Sequence, residues 1–257
     1  MKLLRHGPVG AERPGLLHTD GTIRDLTGLV PDIGGAVISD TGLAMLRGID
    51  AGILPVVDPA TRLGPCVAGT GKFICIGLNY ADHAAESGMA VPPEPVIFMK
   101  ATSAICGPND PIIIPRGSEK TDWEVELAVI IGKAAKYVSQ DEAMAHVAGY
   151  AVTNDVSERA FQTERSGQWT KGKSCDNFGQ IGPWLVTRDE VADPQNLKMW
   201  LKVNGKTMQD GSTKTMVYGV KYLVSYLSQF MTLHPGDVIS TGTPPGVGLG
   251  MKPPRYL

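Results

Sequence analysis

Apolar positions in this chain come in short bursts broken by glycine and proline, a pattern that predicts many brief strands and few long helices. KFICIGLNY, from Lys72, reads as a buried strand entering a loop. PVIFMK and DPIIIP read as short strands between turn signals, and DWEVELAVIIG is the strongest strand signal. GPWLVT adds a strand, and LKMWLKVNGKTMQDG reads as a hairpin turning at Asn204-Gly205. Helical spacing is confined to SDTGLAMLRGID, with capping candidates and Leu43, Leu46 and Ile49 in register, to YADHAAESG, and to VKYLVSYLSQFMT. SQDEAMAHVAGYAVTNDV reads as a capped helix running into a strand, and HPGDVISTGTPPGVGLG as a short strand followed by a glycine/proline loop. The expected fold is β-dominated α+β, with a curved or barrel-like sheet.

Residues 1–70 read as a small N-terminal α+β domain, with a hairpin turning at Thr19-Asp20-Gly21 and a proline-punctuated connector over 54–65. Residues 71–257 read as the main domain. A hydrophobic content of 42% and a charged content of 19% are ordinary for a globular protein with a sizeable core. The formal net charge of −2 supplies no basic footprint, which argues against nucleic acid as a partner. Cys66, Cys75, Cys106 and Cys175 are scattered without a CxxC pair, as expected for reduced thiols in a cytoplasmic protein. No apolar stretch reaches about 18 residues, so no membrane partner is expected.

Glu124 and Glu126 open the WEVELAVIIGK strand at i and i+2, so both point to one face beside apparently buried neighbours. Like charges there call for a cation or a shared proton, which suggests a divalent metal; two solvated glutamates on an exposed face are the alternative. His83 and Glu86 stand at i and i+3 on a helical turn, where a carboxylate can orient an imidazole as a base; an exposed pair of no consequence is the alternative. Asp155 ends a strand, with Arg159 and Gln162 at i+4 and i+7, or it caps the helix SERAFQ. Lys171 and Lys173 lie in WTKGK, and Thr243 sits on TGTPPG, whose free N–H groups could cradle a carboxylate. GTGKF is not a phosphate loop, because Cys66 and Phe73 stand where glycine and Ser/Thr are required, and GVGLG lacks dinucleotide spacing.

Taken in order, IGLNYADHAAE, PVIFMK, WEVELAVIIGK, GYAVTNDVSER, WTKGKSCDNFGQIGP, VNG and PGDVISTGTPPGVG resemble the fumarylacetoacetate hydrolase superfamily over roughly residues 72–250. The small N-terminal piece resembles that of the bacterial branch containing acylpyruvate and diketo-deoxy-sugar-acid hydrolases and proteins labelled ureidoglycolate lyase. The resemblance implies a mixed β-sandwich/roll, and a homodimer. It makes Glu124, Glu126 and Asp155 metal ligands, His83 and Glu86 a water-activating dyad, and Lys173 the group stabilising enolate charge, with Lys171 as competitor. Arg159, Gln162 and Thr243 match substrate-binding positions. Relatives continue past PPRYL with another strand pair, so the last strands of the fold are expected to be missing from this chain.

Three carboxylates form a hard oxygen site suited to Mg²⁺, Mn²⁺ or Ca²⁺, with no organic cofactor. The implied reaction is retro-Claisen hydrolysis of an acylpyruvate-type or 2,4-diketo acid through a metal-bound enolate, giving a carboxylic acid and a 2-oxo acid. The same enolate serves a ureidoglycolate lyase, an oxaloacetate decarboxylase or a hydroxydienoate isomerase. Presence of both His83 and Glu86 favours hydrolysis. A non-enzymatic metal- or small-acid-binding protein is the remaining alternative.

Overall fold

The computed structural model describes residues 1–86, 88 and 90–257. Its first half contains β1 (Lys2–His6), β2 (Arg13–Leu17), β3 (Ile23–Asp25), α1 (Asp40–Arg47), β4 (Phe73–Gly77), α2 (Ala81–Glu86), β5 (Val96–Lys100), β6 (Ile105–Cys106), β7 (Thr121–Asp122) and β8 (Val125–Ile131). The second half contains α3 (Gln140–Ala143), β9 (Val147–Asp155), β10 (Ser157–Glu158), α4 (Arg159–Thr163), α5 (Thr170–Lys173), β11 (Gly179–Thr187), β12 (Lys198–Val203), β13 (Lys206–Ser212), α6 (Val220–Phe230) and β14 (Val238–Ser240).

Among the described residues, ten strands form one mixed sheet in the order β3-β2-β1-β11-β9-β8-β14-β4-β5, with β6 beside β11. The β14–β4 and β11–β6 pairs are parallel. The remaining strands form two small ladders, β7 with β10 and β12 with β13.

The central strands read as apolar runs because both of their faces are covered. On β4, Phe73 and Cys75 enter one core cluster while Ile74 and Ile76 enter the other. On β8, Ala128 and Ile130 face the first cluster, and Val125, Leu127, Val129 and Ile131 face the second. The apolar side of α6, through Leu223, Val224 and Leu227, covers the second face. Helix α1 covers the first through Leu43 and Leu46, with the Ser39 side chain capping its start. Helix α3 begins with a Ser139–Glu142 capping box.

The boundary near residue 70 coincides with entry into β4, yet β1 pairs with β11 through Lys2↔Val186 and Leu3↔Leu185. Leu3, Val37 and Ile38 share a core with Phe73 and Ala128, so the first seventy residues extend the central sheet. The β2–β3 hairpin turns where expected, closed by Gly21 N–H to His18 O at 3.0 Å. DPIIIP is not a strand: its prolines withhold ladder donors, and Ile113 and Ile114 are half exposed. The helix read in YADHAAESG covers Ala81–Glu86, and Ser87 lies outside the described residues. Among the described residues, no helix is long and apolar enough to cross a membrane.

Candidate metal centre and active site

Strands β8 and β9 are antiparallel neighbours, and their register brings three carboxylates together. Val125 pairs with Asn154 and Glu126 with Thr153, which sets Glu124 opposite Asp155, whose N–H donates to Glu124 O at 2.9 Å. One ligand oxygen from each of Glu124, Glu126 and Asp155 lies within 4.8 Å of the others. Their exposures of 4%, 2% and 0% rule out the solvated-face alternative for the glutamate pair.

Cations crowd this cluster. Lys173, at the end of α5, donates to Glu124 Oε2 at 2.5 Å and to Asp155 Oδ2 at 2.9 Å. Arg159 donates to Glu124 Oε1 at 2.7 Å, to Asp122 Oδ2 at 2.8 Å and to Gln162 Oε1 at 3.1 Å. Lys100, fully buried at the end of β5, places Nζ 2.6 Å from Asp155 Oδ1 while donating to the carbonyls of Val156 and Lys173 at 2.8 Å each. Asp155 Oδ1 is buried with this ammonium as its ion partner and no further hydrogen bond.

The two glutamates divide electrostatically. Burial alone would raise the Glu124 carboxyl, but Arg159 and Lys173 outweigh it and hold it far below the usual carboxylate range. Glu126 is pushed well up, first by burial and then by repulsion from Asp155 and Glu124. Its Oε2 accepts from Ser240 Oγ at 2.5 Å and Gly242 N–H at 2.7 Å. Burial would lower the Lys173 ammonium, but Asp155 and Glu124 push it above its ordinary value. The Lys173 ammonium is thereby held in its charged form among these carboxylates. An all-oxygen donor set, a buried oxygen with no hydrogen bond and a mutually repelling pair together fit a hard divalent cation.

His83 shares with the cluster a cavity of about 130 Å³, lined also by Ile76, Leu78, Phe98, Trp169, Gln162, Thr243 and Leu249. His83 Nδ1 lies 3.5 Å from Glu86 Oε2. Burial raises Glu86, but the His83 contact and the Gly246 N–H overcome this and leave it lowered. Trp169 packs edge-on to Phe98 at 5.2 Å and fills the space a Cβ on Gly77 would occupy.

The loop after β14 grips three acids through backbone amides. Besides Gly242 on Glu126, Gly246 N–H reaches Glu86 Oε2 at 3.0 Å, and Gly248 and Leu249 N–H reach the two oxygens of Asp122 at 2.7 and 3.0 Å. Gly242 and Gly246 have φ of 100° and 108°, where a side chain is strained, and a Cβ on Gly246 would lie 1.9 Å from Met208 O.

The structure thus brings eight of the nine sequence-predicted site residues onto one cavity, with Glu86 beside His83. Asp155 ends a strand, so it neither caps α4, which Glu158 does, nor shares a helical face with Arg159. The Arg159 guanidinium braces Asp122 and Glu124. The Thr243 hydroxyl donates to Val125 O at 2.9 Å and accepts from Gln209 Nε2 at 2.7 Å. Lys171 is exposed, and its ammonium donates to Arg165 O, which removes it as competitor to Lys173. Sequence reasoning missed Lys100, Asp122, Gln209 and Ser240. For Lys100 and Ser240 the signal available was a polar group at the end of an apolar strand; Asp122 and Gln209 carried none.

A larger cleft of about 540 Å³ lies between β8, β9 and the β12–β13 hairpin, walled by Leu127, Val152, Ile181, Met199 and Trp200. His83, Lys173 and Asp155 are not among its walls, so the chemistry converges on the smaller cavity.

Residues 72–257 match the family model described as fumarylacetoacetate (FAA) hydrolase C-terminal. A relative from Burkholderia multivorans, named only as a hydrolase, is 64% identical over 258 residues, taking in 100% of this chain and 92% of that protein. Fumarylacetoacetate hydrolase from Exiguobacterium antarcticum is 38% identical with a TM-score of 0.83, covering 100% of this chain and 91% of that one. Maleylpyruvate hydrolase from Sphingobium sp. SYK-6, solved with manganese(II) and pyruvate, is 31% identical with a TM-score of 0.81, covering 96% and 90%. Likeness of this extent, over both the strand-rich section and the first seventy residues, means that the chain belongs to the fumarylacetoacetate hydrolase superfamily and is an enzyme.

Proposed function

We propose that this enzyme hydrolyses a carbon–carbon bond of an acylpyruvate-type 2,4-diketo acid. The observation that carries this reading is His83, with Glu86 3.5 Å from its ring, lining one small cavity together with Lys173 and the three carboxylates. Decarboxylation of a 2-oxo acid needs the cations to hold its enolate but no attacking water, so a base beside this cavity favours hydrolysis over that reaction.

Mg²⁺ or Mn²⁺ held by Glu124, Glu126 and Asp155 would supply Lewis acidity toward the 2-oxo acid's oxygens. His83, oriented by Glu86, takes a proton from water as its oxygen adds to the acyl carbonyl. The bond from that carbonyl to the methylene then breaks, and its electron pair delocalises as the enolate of the 2-oxo acid. Lys173 lies beside this developing negative charge in a largely water-excluded site. A proton returned to carbon completes a carboxylic acid and pyruvate or a homologue. Thr243 and Gln162 line the cavity where the substrate's carboxylate and keto oxygens enter. Phe98, Trp169, Leu78 and Leu249 form its apolar wall. The cysteines are free, three of them buried, which suits a reducing compartment, and the cytoplasm is the proposed location.

The test is a panel of acylpyruvates, diketo-deoxy sugar acids, oxaloacetate and ureidoglycolate with Mg²⁺ or Mn²⁺. Acylpyruvate absorbance should decay, stop with chelator, and slow by about 10²–10⁴-fold in His83→Ala. Hydrolysis by that variant at the parent rate would remove His83 from water activation. Turnover of oxaloacetate alone would shift the reading to a decarboxylase.

A further inference from the structure

The segment carrying His83 and Glu86 runs between β4 and β5, and its two feet, Asn79 before the pair and Pro92 after it, both bond to one residue outside it. At the first foot, Tyr218 N–H donates to Asn79 Oδ1 at 2.8 Å and Asn79 Nδ2 donates back to Tyr218 O at 3.0 Å. Val217 N–H adds a bond to Asn79 O at 2.8 Å, and Asn79 Nδ2 also reaches Thr241 O at 2.7 Å. At the second foot, the Tyr218 hydroxyl donates to Pro92 O at 2.7 Å.

The phenol is itself braced. Tyr218 stacks on Tyr222 at 5.1 Å, Tyr222 on Tyr226 at 5.6 Å, and Tyr226 meets Phe230 edge-on at 4.9 Å, a ladder that starts just before α6 and continues along it at i, i+4 spacing. Tyr226 adds a second tie, its hydroxyl donating to Glu94 Oε2 at 2.6 Å. Tyr222 makes no hydrogen bond to the segment among the described residues.

We propose that Tyr218 is the positioning residue of the dyad: it staples the two feet of the His83–Glu86 segment together and so sets how that pair meets the cavity. The backbone bonds at Asn79 would survive any side chain at 218. The bond to Pro92 needs the hydroxyl; it ties the segment four residues nearer the dyad than the Gly77↔Val96 pair that already closes its ends, which reduces the conformations open to it. Glu86 on Gly246 N–H is then a third point of attachment, at the tip. The catalytic half of this inference rests on His83 and Glu86 activating water; the structural half does not.

Tyr218→Phe keeps the ring and the ladder and deletes one bond; Tyr222→Phe is the control, losing a hydroxyl from the same ladder. By amide hydrogen exchange, residues 80–86 should open about fivefold more in Tyr218→Phe, the equivalent of one net hydrogen bond, and remain as in the parent in Tyr222→Phe. Exchange in β4 and Mn²⁺ affinity by calorimetry should not move, because the carboxylate cluster is untouched. Acylpyruvate kcat should fall by up to the same factor, with KM unchanged. Parent-like exchange over 80–86 in Tyr218→Phe overturns the staple, and faster exchange with unchanged kcat overturns the positioning role. If the parent hydrolyses no acylpyruvate, the functional reading fails, and the exchange comparison still decides whether Tyr218 holds the segment.

Discussion

Lys100→Met tests whether the buried lysine missed in the sequence is part of the site's electrostatic frame. The substitution keeps the volume and removes a charge from a side chain whose accessibility is 0%, so solvent screening is negligible. Asp155 Oδ1, already without a hydrogen bond, loses the cation 2.6 Å away, and the carbonyls of Val156 and Lys173 lose their donor. Removing one partner of a buried ion pair costs about 3–5 kcal/mol. For a domain of this size that corresponds to a fall in melting temperature of roughly 6–20 °C. Thermal unfolding in the presence of chelator reads it directly. Adding Mn²⁺ should restore part of the loss, because binding to the folded state replaces positive charge beside Asp155. The pairing is isolated by Lys100→Met/Asp155→Asn, which removes the negative charge that Lys100→Met leaves to Lys173 alone and should be milder than Lys100→Met by itself. A melting point within a degree or two of the parent for Lys100→Met, or a double variant worse by the full sum of the singles, would refute this account.

Glu126→Gln should separate stability from metal binding. Its carbonyl can still accept from Ser240 and Gly242, and it relieves repulsion by Asp155 and Glu124, so melting with chelator should hold or rise. Mn²⁺ affinity by calorimetry should fall on the order of a hundredfold with the loss of one anionic ligand; unchanged affinity would exclude Glu126 as a ligand. Glu86 sets a pH dependence. Its folded pKa lies below the ordinary 4.5, so its stabilisation of the dyad segment is complete above that value and is lost as pH falls through the depressed one. Amide protection over residues 81–86 should therefore be level from neutrality down to about 4.5 and decline below; protection that drops as pH rises toward neutrality would show the opposite sign.

The parts of the site legible in the sequence were those encoded by local period. Glu124 and Glu126 share a face because strand side chains alternate, and His83 and Glu86 share one because helical turns repeat. Asp155 joined them only through the family resemblance, since pairing of β8 with β9 is a non-local event that local pattern does not encode. The same limit explains Lys100. At the end of an apolar strand, a lysine ordinarily extends to water, and only the arrival of β9 and α5 turns it inward. The i+4 spacing of Arg159 from Asp155 suggested a helical contact that a strand end prevents. Arg159 instead reaches Asp122 and Glu124 on the facing segment. DPIIIP looked like a strand because its isoleucines outweighed its prolines in the pattern, while the missing donors decided the outcome.

The loop over residues 242–249 holds Glu126, Glu86 and Asp122 by main-chain N–H groups alone. What this stretch contributes is therefore written in the path of the chain and only indirectly in its letters. Replacing a side chain by alanine cannot delete an amide, so conventional scanning would report bulk effects at the glycines and little at Leu249, and would miss the shared task. Amide-to-ester exchange at 242, 246 or 248 removes a single donor while leaving shape intact. Each exchange would loosen a different acid: Glu126 of the carboxylate cluster, Glu86 beside His83, and Asp122 on Arg159. One short turn can thus be read as three separately addressable controls.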